Sequence, residues 1–178
     1  MKHAVPPAPL DNAAESGAIG TIPGSGAFTG HLRVREATAE ERKEFASLVP
    51  ERDCGRWVEQ TVQSDRSWAP VVERFGNRRW IPIGLAMVDA KGQMAFGLLP
   101  SYRGKGFASA AIRAVIQYLR EYPLTVLRAC VDPEDLIMAE AYRRAGFVFS
   151  GRVVMRERIL DSCILVLRQE CPSFNVWI

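Results

Sequence analysis

Histidine is scarce in this chain: there are two among 178 residues, His3 and His31, both ahead of or at the edge of the first patterned segment. That scarcity nearly excludes a Ser-His-Asp or Cys-His nucleophile and a histidine-based metal site, so no metal is expected. Cysteine is sparse as well. The four, Cys54, Cys130, Cys163 and Cys171, show no C-x-x-C spacing. Cys130 and Cys163 sit inside apolar runs, which points to buried thiols and away from disulfides or zinc. A charge of one sign is also missing, because 23 Lys and Arg against 20 Asp and Glu leave a formal +3. Such a balance is too mild to argue for a polyanion partner. Nucleic-acid binding through Arg78, Arg79, Arg103, Lys105, Arg143 and Arg144 therefore ranks last among the functions considered. No run approaches the roughly 20 apolar residues of a membrane span, and residues 1–30 lack the apolar core of a secretory signal. The expectation is a soluble, cytoplasmic protein with no membrane partner.

What is present suits one domain: 48% of residues are hydrophobic and 24% charged, enough for one core and too short a chain for two. Residues 1–30, rich in Ala, Pro, Gly and Ser, read as a disordered tail, followed by a domain over 31–170 and an extension over 171–178. His31–Glu36 alternates like a half-buried strand. Thr38 and Glu41 read as a capping box opening a helix that Pro50 stops, and Trp57, Val58, Thr61 and Val62 suggest a second helix to about Trp68. Val71–Phe75, a Gly76-Asn77 turn, Trp80–Val88, a turn through Gly92, and Gln93–Leu99 read as an antiparallel meander. Phe107–Glu121 carries a one-sided apolar stripe. Leu124–Val131 is nearly continuous apolar, as a strand covered on both faces would be. Asp132-Pro133 is expected to start a helix that Gly146 ends, and Phe147–Met155 with Cys163–Gln169 forms a closing hairpin. The order β α α β β β α β α β β predicts a mixed α/β sheet with helices on its faces.

The segment Leu98-Leu99-Pro100-Ser101-Tyr102-Arg103-Gly104-Lys105-Gly106-Phe107-Ala108 runs from a strand end into a helix start. Small residues at Gly104, Gly106 and Ala108, a helix N-terminus, and the charges of Arg103 and Lys105 make an anion site. It is neither a P-loop nor a dinucleotide fingerprint. The arrangement resembles motif A of the GCN5-related N-acetyltransferases, R/Q-x-x-G-x-G/A, here Arg103-x-x-Gly106-x-Ala108. Asp135 through Tyr142 to Gly146-Phe147 resembles their motif B, N-x-x-[SA]-x-x-x-Y-x-x-x-G-F. The nearest look is the branch that carries ribosomal-protein acetyltransferases.

The resemblance implies a mostly antiparallel sheet of about seven strands, splayed between the fourth (Gln93–Leu99) and fifth (Leu124–Val131), with Gly97 allowing a bulge or close approach there. It implies acetyl-CoA as donor, held by backbone groups of Leu98 and Leu99 and by Arg103, Gly104, Lys105, Gly106, Phe107 and Ala108. Transfer would be direct, to a primary amine of a small molecule or a protein N-terminus, at a pocket lined from Glu36 to Arg79. Tyr142 falls at the general-acid position. Many relatives open the fourth strand with a basic Glu where this chain has Gln93, so Glu73 is the substitute named, with Asp132 or a water chain as alternatives. Motif B's Asn is Asp135 and its Ser or Ala is Met138; Asp135 remains a cofactor-binding candidate or a helix cap. An acyl-CoA-binding protein without turnover is the rival reading; under either reading a homodimer is among the assemblies open to the chain.

Overall fold

The structure, a computed structural model, describes residues 31–48, 67–155 and 157–168. The expected tail, the body of the second helix and the C-terminal extension lie outside them. Ser67 and Trp68, expected to end that helix, are instead strand.

Local chemistry starts the first elements as expected. The Glu41 N–H donates to Thr38 Oγ1 at 3.2 Å and the Thr38 N–H to Glu41 Oε2 at 2.9 Å, a capping box that opens α1 (Ala39–Leu48) after β1 (Leu32–Glu36). There follow β2 (Ser67–Trp68), β3 (Pro70–Gly76), β4 (Arg79–Asp89) and β5 (Gln93–Leu98). A 3-10 turn at Pro100–Tyr102 leads to α2 (Phe107–Leu119), then β6 (Val126–Val131), α3 (Leu136–Arg144), β7 (Val148–Met155) and β8 (Arg158–Val166). The turn between β3 and β4 is one residue later than expected, at Asn77 and Arg78, both with positive φ (52° and 59°). That is the turn hand that matches strand twist. The last helix also starts late: Asp132-Pro133 makes a turn, and Asp135 is the N-cap.

The strands form one sheet in the order β1-β3-β4-β5-β6-β8-β7, with short β2 on β4 as the eighth strand beyond the seven expected. All pairings are antiparallel except β5 with β6. One face carries α2, whose Phe107, Ala111, Ile112, Val115, Ile116 and Leu119 are buried in one cluster with Val72, Ile83, Val88, Met94, Phe96 and Leu98. Each large side chain so buried contributes about 1.5–3 kcal/mol. The opposite face buries Val71, Leu85, Met87 and Ala95, and α1 lies against β5. β6 corrects the expectation of a strand covered on both faces. Leu127, Ala129 and Val131 are buried while Arg128 is exposed, because antiparallel β8 and the helices need only one apolar face.

At the β1–β3 edge, Glu73 is 4% exposed and accepts from Arg33 Nε at 2.5 Å and Arg35 Nε at 3.0 Å. Arg35 also forks onto Glu41 at 2.8 and 2.6 Å, which chiefly holds the Glu41 carboxyl down at about 2 against an ordinary 4.5. The folded chain thus keeps Glu41 charged where the unfolded chain protonates it. Its contribution is complete above about pH 5 and is lost as pH falls toward 2. Acid unfolding followed by circular dichroism is expected to be shallower in Glu41→Gln; an unchanged acid limb would refute the assignment. A second prediction concerns Gly92, where φ is +79° and an added Cβ would lie 2.0 Å from the Val126 carbonyl oxygen. Gly92→Ala is expected to cost about 3 kcal/mol or more in urea unfolding. Gly104→Ala, with nothing within 4 Å of its Cβ, is expected to cost only the left-handed strain of about 1–2 kcal/mol.

Candidate active site

β5 and β6 pair at two positions, Gln93↔Arg128 and Met94↔Ala129, and then part. The hydrogen bonds on either side set the phase of β5. The Arg128 N–H donates to the Gly92 carbonyl at 2.8 Å, and the Leu99 N–H donates to the Ile83 carbonyl of β4 at 2.9 Å. Alternation along an extended strand then turns the backbone groups of Phe96 and Leu98 toward the gap and those of Leu99 away from it. Leu98 therefore turns its backbone N–H toward the gap, the side on which the resemblance expects the cofactor arm. Leu99 is a correction, since its N–H is already paired to β4. Phe96, two residues back and not among the expected positions, faces the gap in the same phase as Leu98. Gly97 makes no bulge, as the β4–β5 register is continuous from Gly84↔Leu98 to Val88↔Met94. The close approach on the β4 side is made by Gly84, where a Cβ would sit 2.7 Å from the Gly97 carbonyl oxygen.

At the open end of the gap the chain turns into α2. Gly104 and Gly106 have φ of 69° and 77°, a region that costs any other residue backbone strain. Gly106 is the N-cap of α2 without a side-chain cap, and the first turn of that helix holds no acid. Among the described residues, none beyond the immediate chain neighbours comes within 4 Å of a Cβ built at Gly104 or Gly106. The first amides of α2 are thus uncapped, uncovered and at the positive end of the helix, which fits a phosphate group. Arg103 and Lys105 are exposed beside them. Arg103 Nε donates to the Leu98 carbonyl at 3.0 Å, and Lys105 Nζ to the Ser101 carbonyl at 2.8 Å. The first bond ties the loop to the end of β5 and the second to the 3-10 turn. Phe107 is buried edge-on to Tyr102, with ring centroids 5.7 Å apart, and Ala108 packs at the margin of the core.

α3 brings Tyr142 into the same cluster as Leu98, Phe107 and Val131. Tyr142 is 3% exposed, and its ring meets Phe147 edge-on at 5.0 Å. Asp135 Oδ1 accepts the Met138 N–H at 2.9 Å, so its observed work is to cap α3. Glu73 is not brought to the gap: it lies on β3, two strands from β5, with both oxygens engaged by arginines. Asp132 pairs with Arg158 and accepts the Glu134 N–H. Gln93 Nε2 donates to Cys130 Sγ at 3.6 Å. Cys130 is half-buried, not fully so, and burial pushes its thiol up from the usual range. Trp68 packs on Tyr122, while Trp80 lies against Phe75 and beneath Arg33. Among the described residues no three His, Cys, Asp or Glu side chains gather as a metal site.

Residues 49–148 match the family model described as an acetyltransferase (GNAT) domain. No curated protein matches the sequence. Solved structures do match, one being a variant of the spermidine N-acetyltransferase SpeG from Vibrio cholerae. It has a TM-score of 0.61 and 16% identity, covering 76% of this chain and 94% of that one. The aminoglycoside acetyltransferase AAC(6')-Ib in complex with coenzyme A has a TM-score of 0.59 and 17% identity, covering 76% and 94%. Spermidine N-acetyltransferase from Vibrio cholerae with CoA and spermine has a TM-score of 0.57 and 16% identity, covering 76% and 95%. Identities this low speak for the fold alone, and the match of the family model to more than half of the residues speaks for descent. The chain belongs to the GNAT acetyltransferase family.

Proposed function

We propose that the protein transfers acetyl from acetyl-CoA directly to a primary amine, and that the β5–β6 gap is where it does so. One observation carries the reading: a gap with unpaired backbone groups leads straight to the uncapped amides of α2. The donor arrives as an activated thioester, so the protein's tasks are to hold it, orient it and manage two protons. The amides from Gly104 to Ala108, with Arg103 and Lys105, hold the pyrophosphate. Phe96, through its N–H and carbonyl, and Leu98, through its N–H, offer the pantetheine arm the hydrogen bonds that a neighbouring strand would otherwise make. The hydroxyl of Tyr142 gives its proton to the departing sulfur. Gln93 cannot take a proton from the amine, and Glu73, engaged by two guanidinium groups, braces β1 against β3. Water at the mouth of the gap receives that proton. The amine belongs to a small molecule, as in the spermidine and aminoglycoside enzymes of like fold, or to a protein N-terminus, as in the ribosomal-protein branch that the motifs resemble.

Tyr142→Phe keeps the ring and deletes the hydroxyl. Turnover is expected to fall about 10 to 1,000-fold with acetyl-CoA affinity nearly unchanged, measured by single-turnover transfer and calorimetry on one preparation. A variant that melts earlier but transfers at the parental rate would make Tyr142 a packing residue only. Gly106→Val places a branched side chain over the amides and strains the cap. Calorimetry on the folded variant is expected to show acetyl-CoA affinity reduced about 10-fold or more, and unchanged affinity would remove the pyrophosphate from this loop. Binding without transfer to any amine would favour the acyl-CoA-binding reading.

A further inference from the structure

On the α2 side, Phe107, Tyr142 and Phe147 are buried in one cluster with Leu98 and Val131, the ends of the two parted strands, so the opposite face is the one by which an amine would reach the gap. That face carries a row of hydrogen-bonding side chains that starts where the strands part. Gln93 Nε2 bonds Cys130 Sγ, Cys130 is the cross-strand neighbour of Ser162, and Ser150 Oγ donates to Ser162 Oγ at 3.0 Å. The row runs from β5 across β6 and β8 to β7 and holds no carboxylate. Exposed Arg128 stands beside it on the same face, two residues from Cys130 along β6, about 7 Å by strand rise. It lies directly across from Gln93 and donates one N–H to the Lys91 carbonyl. Exposed Lys91 adds a second cation at that end. The described carboxylates of adjoining segments are already engaged, Asp132 with Arg158 and Asp161 with Arg152, while Asp89, the one beside Lys91, accepts the Lys91 and Gln93 N–H groups through Oδ1.

A polycation would meet Arg128 and Lys91 with no carboxylate of the row to compensate, whereas an acceptor carrying its own carboxylate would gain by their presence. We infer that the acceptor is an amine that bears a carboxylate within reach of Arg128, a free amino acid or an acidic peptide N-terminus, and not a polyamine. The uncharged row receives the amine and its neighbouring amide or hydroxyl groups, and Arg128 selects by charge. This inference rests on the acetyl-transfer reading of the gap.

The test is a competition on the full chain with acetyl-CoA and five acceptors: free glutamate, a peptide beginning with Glu, a peptide beginning with Ser, spermidine and an aminoglycoside. The acidic acceptors are expected to exceed spermidine by about 10-fold or more in kcat/KM, and the glutamate and peptide arms show which source supplies the amine. Arg128→Glu is expected to raise KM for the acidic acceptor about 10-fold and to improve spermidine, with acetyl-CoA affinity by calorimetry unmoved. Ser162→Asp, which places a carboxylate in the row, is expected to shift selectivity the same way. Preference of the parent for spermidine or the aminoglycoside would overturn the inference and leave the transfer reading standing. So would selectivity that both variants leave unchanged. Transfer to none of the five despite acetyl-CoA binding would overturn both.

Discussion

Two cross-strand pairs hold β5 to β6, and past Met94 and Ala129 the strands have no hydrogen bonds in common. A sheet normally closes such a seam, because each backbone group left without water or partner costs about 1–3 kcal/mol. Here the seam is kept open by commitments on both sides. β5 is paired to β4 along its length, β6 is paired to β8 from Val126 to Val131, and the buried side chains of Leu98, Phe107, Val131 and Tyr142 fill the α2 side. At the closed end Gly92 lies so tightly on the Val126 carbonyl that a methyl group has no room. The gap is therefore a property of two fully satisfied half-sheets that meet at one point, and an extended ligand with amides can supply the missing third partner.

Charge follows the same division. Toward the β1 edge the carboxylates are used to fasten elements together: Glu73 joins β1 to β3, Glu41 joins α1 to β1, and Glu36 accepts from Arg42, from the Ala69 amide and from the Tyr118 hydroxyl. Burial and the Tyr122 hydroxyl raise the Tyr118 phenol well above its ordinary value, so it stays a donor in this network. Around the gap the arrangement is reversed, with uncapped amides, Arg103 and Lys105 at the open end and Arg128 and Lys91 at the closed end. On α3, Glu140 pairs with both Arg143 and Arg144 on the exposed surface of that helix.

Much of this was legible in residue order because the signals were local. The Thr38–Glu41 box, the stripe from Phe107 to Leu119, and glycines at 104, 106 and 146 each report backbone conformations decided within a few residues. The errors arose where a distant partner decides. Leu124–Val131 reads as a strand buried on two faces, yet within it Arg128 is exposed while Leu127, Ala129 and Val131 are buried on the face toward α2. Leu99 was grouped with Leu98, although which of two neighbours faces the gap depends on a hydrogen bond to Ile83, sixteen positions earlier in the chain. Glu73 looked available as a base because nothing near it in sequence announces Arg33 and Arg35.

By itself, then, the sequence determined the elements, the anion-binding turn and the family resemblance, since helix caps, apolar periods and left-handed glycines are short-range matters of sterics and hydrogen bonding. Tertiary structure alone decided where β5 leaves β6, which backbone groups the gap exposes, and which charges remain to act on a ligand. Those depend on strand register and on ion pairs between residues up to forty positions apart, such as Arg33 with Glu73, and no local pattern encodes the partner of a charge that lies on another strand.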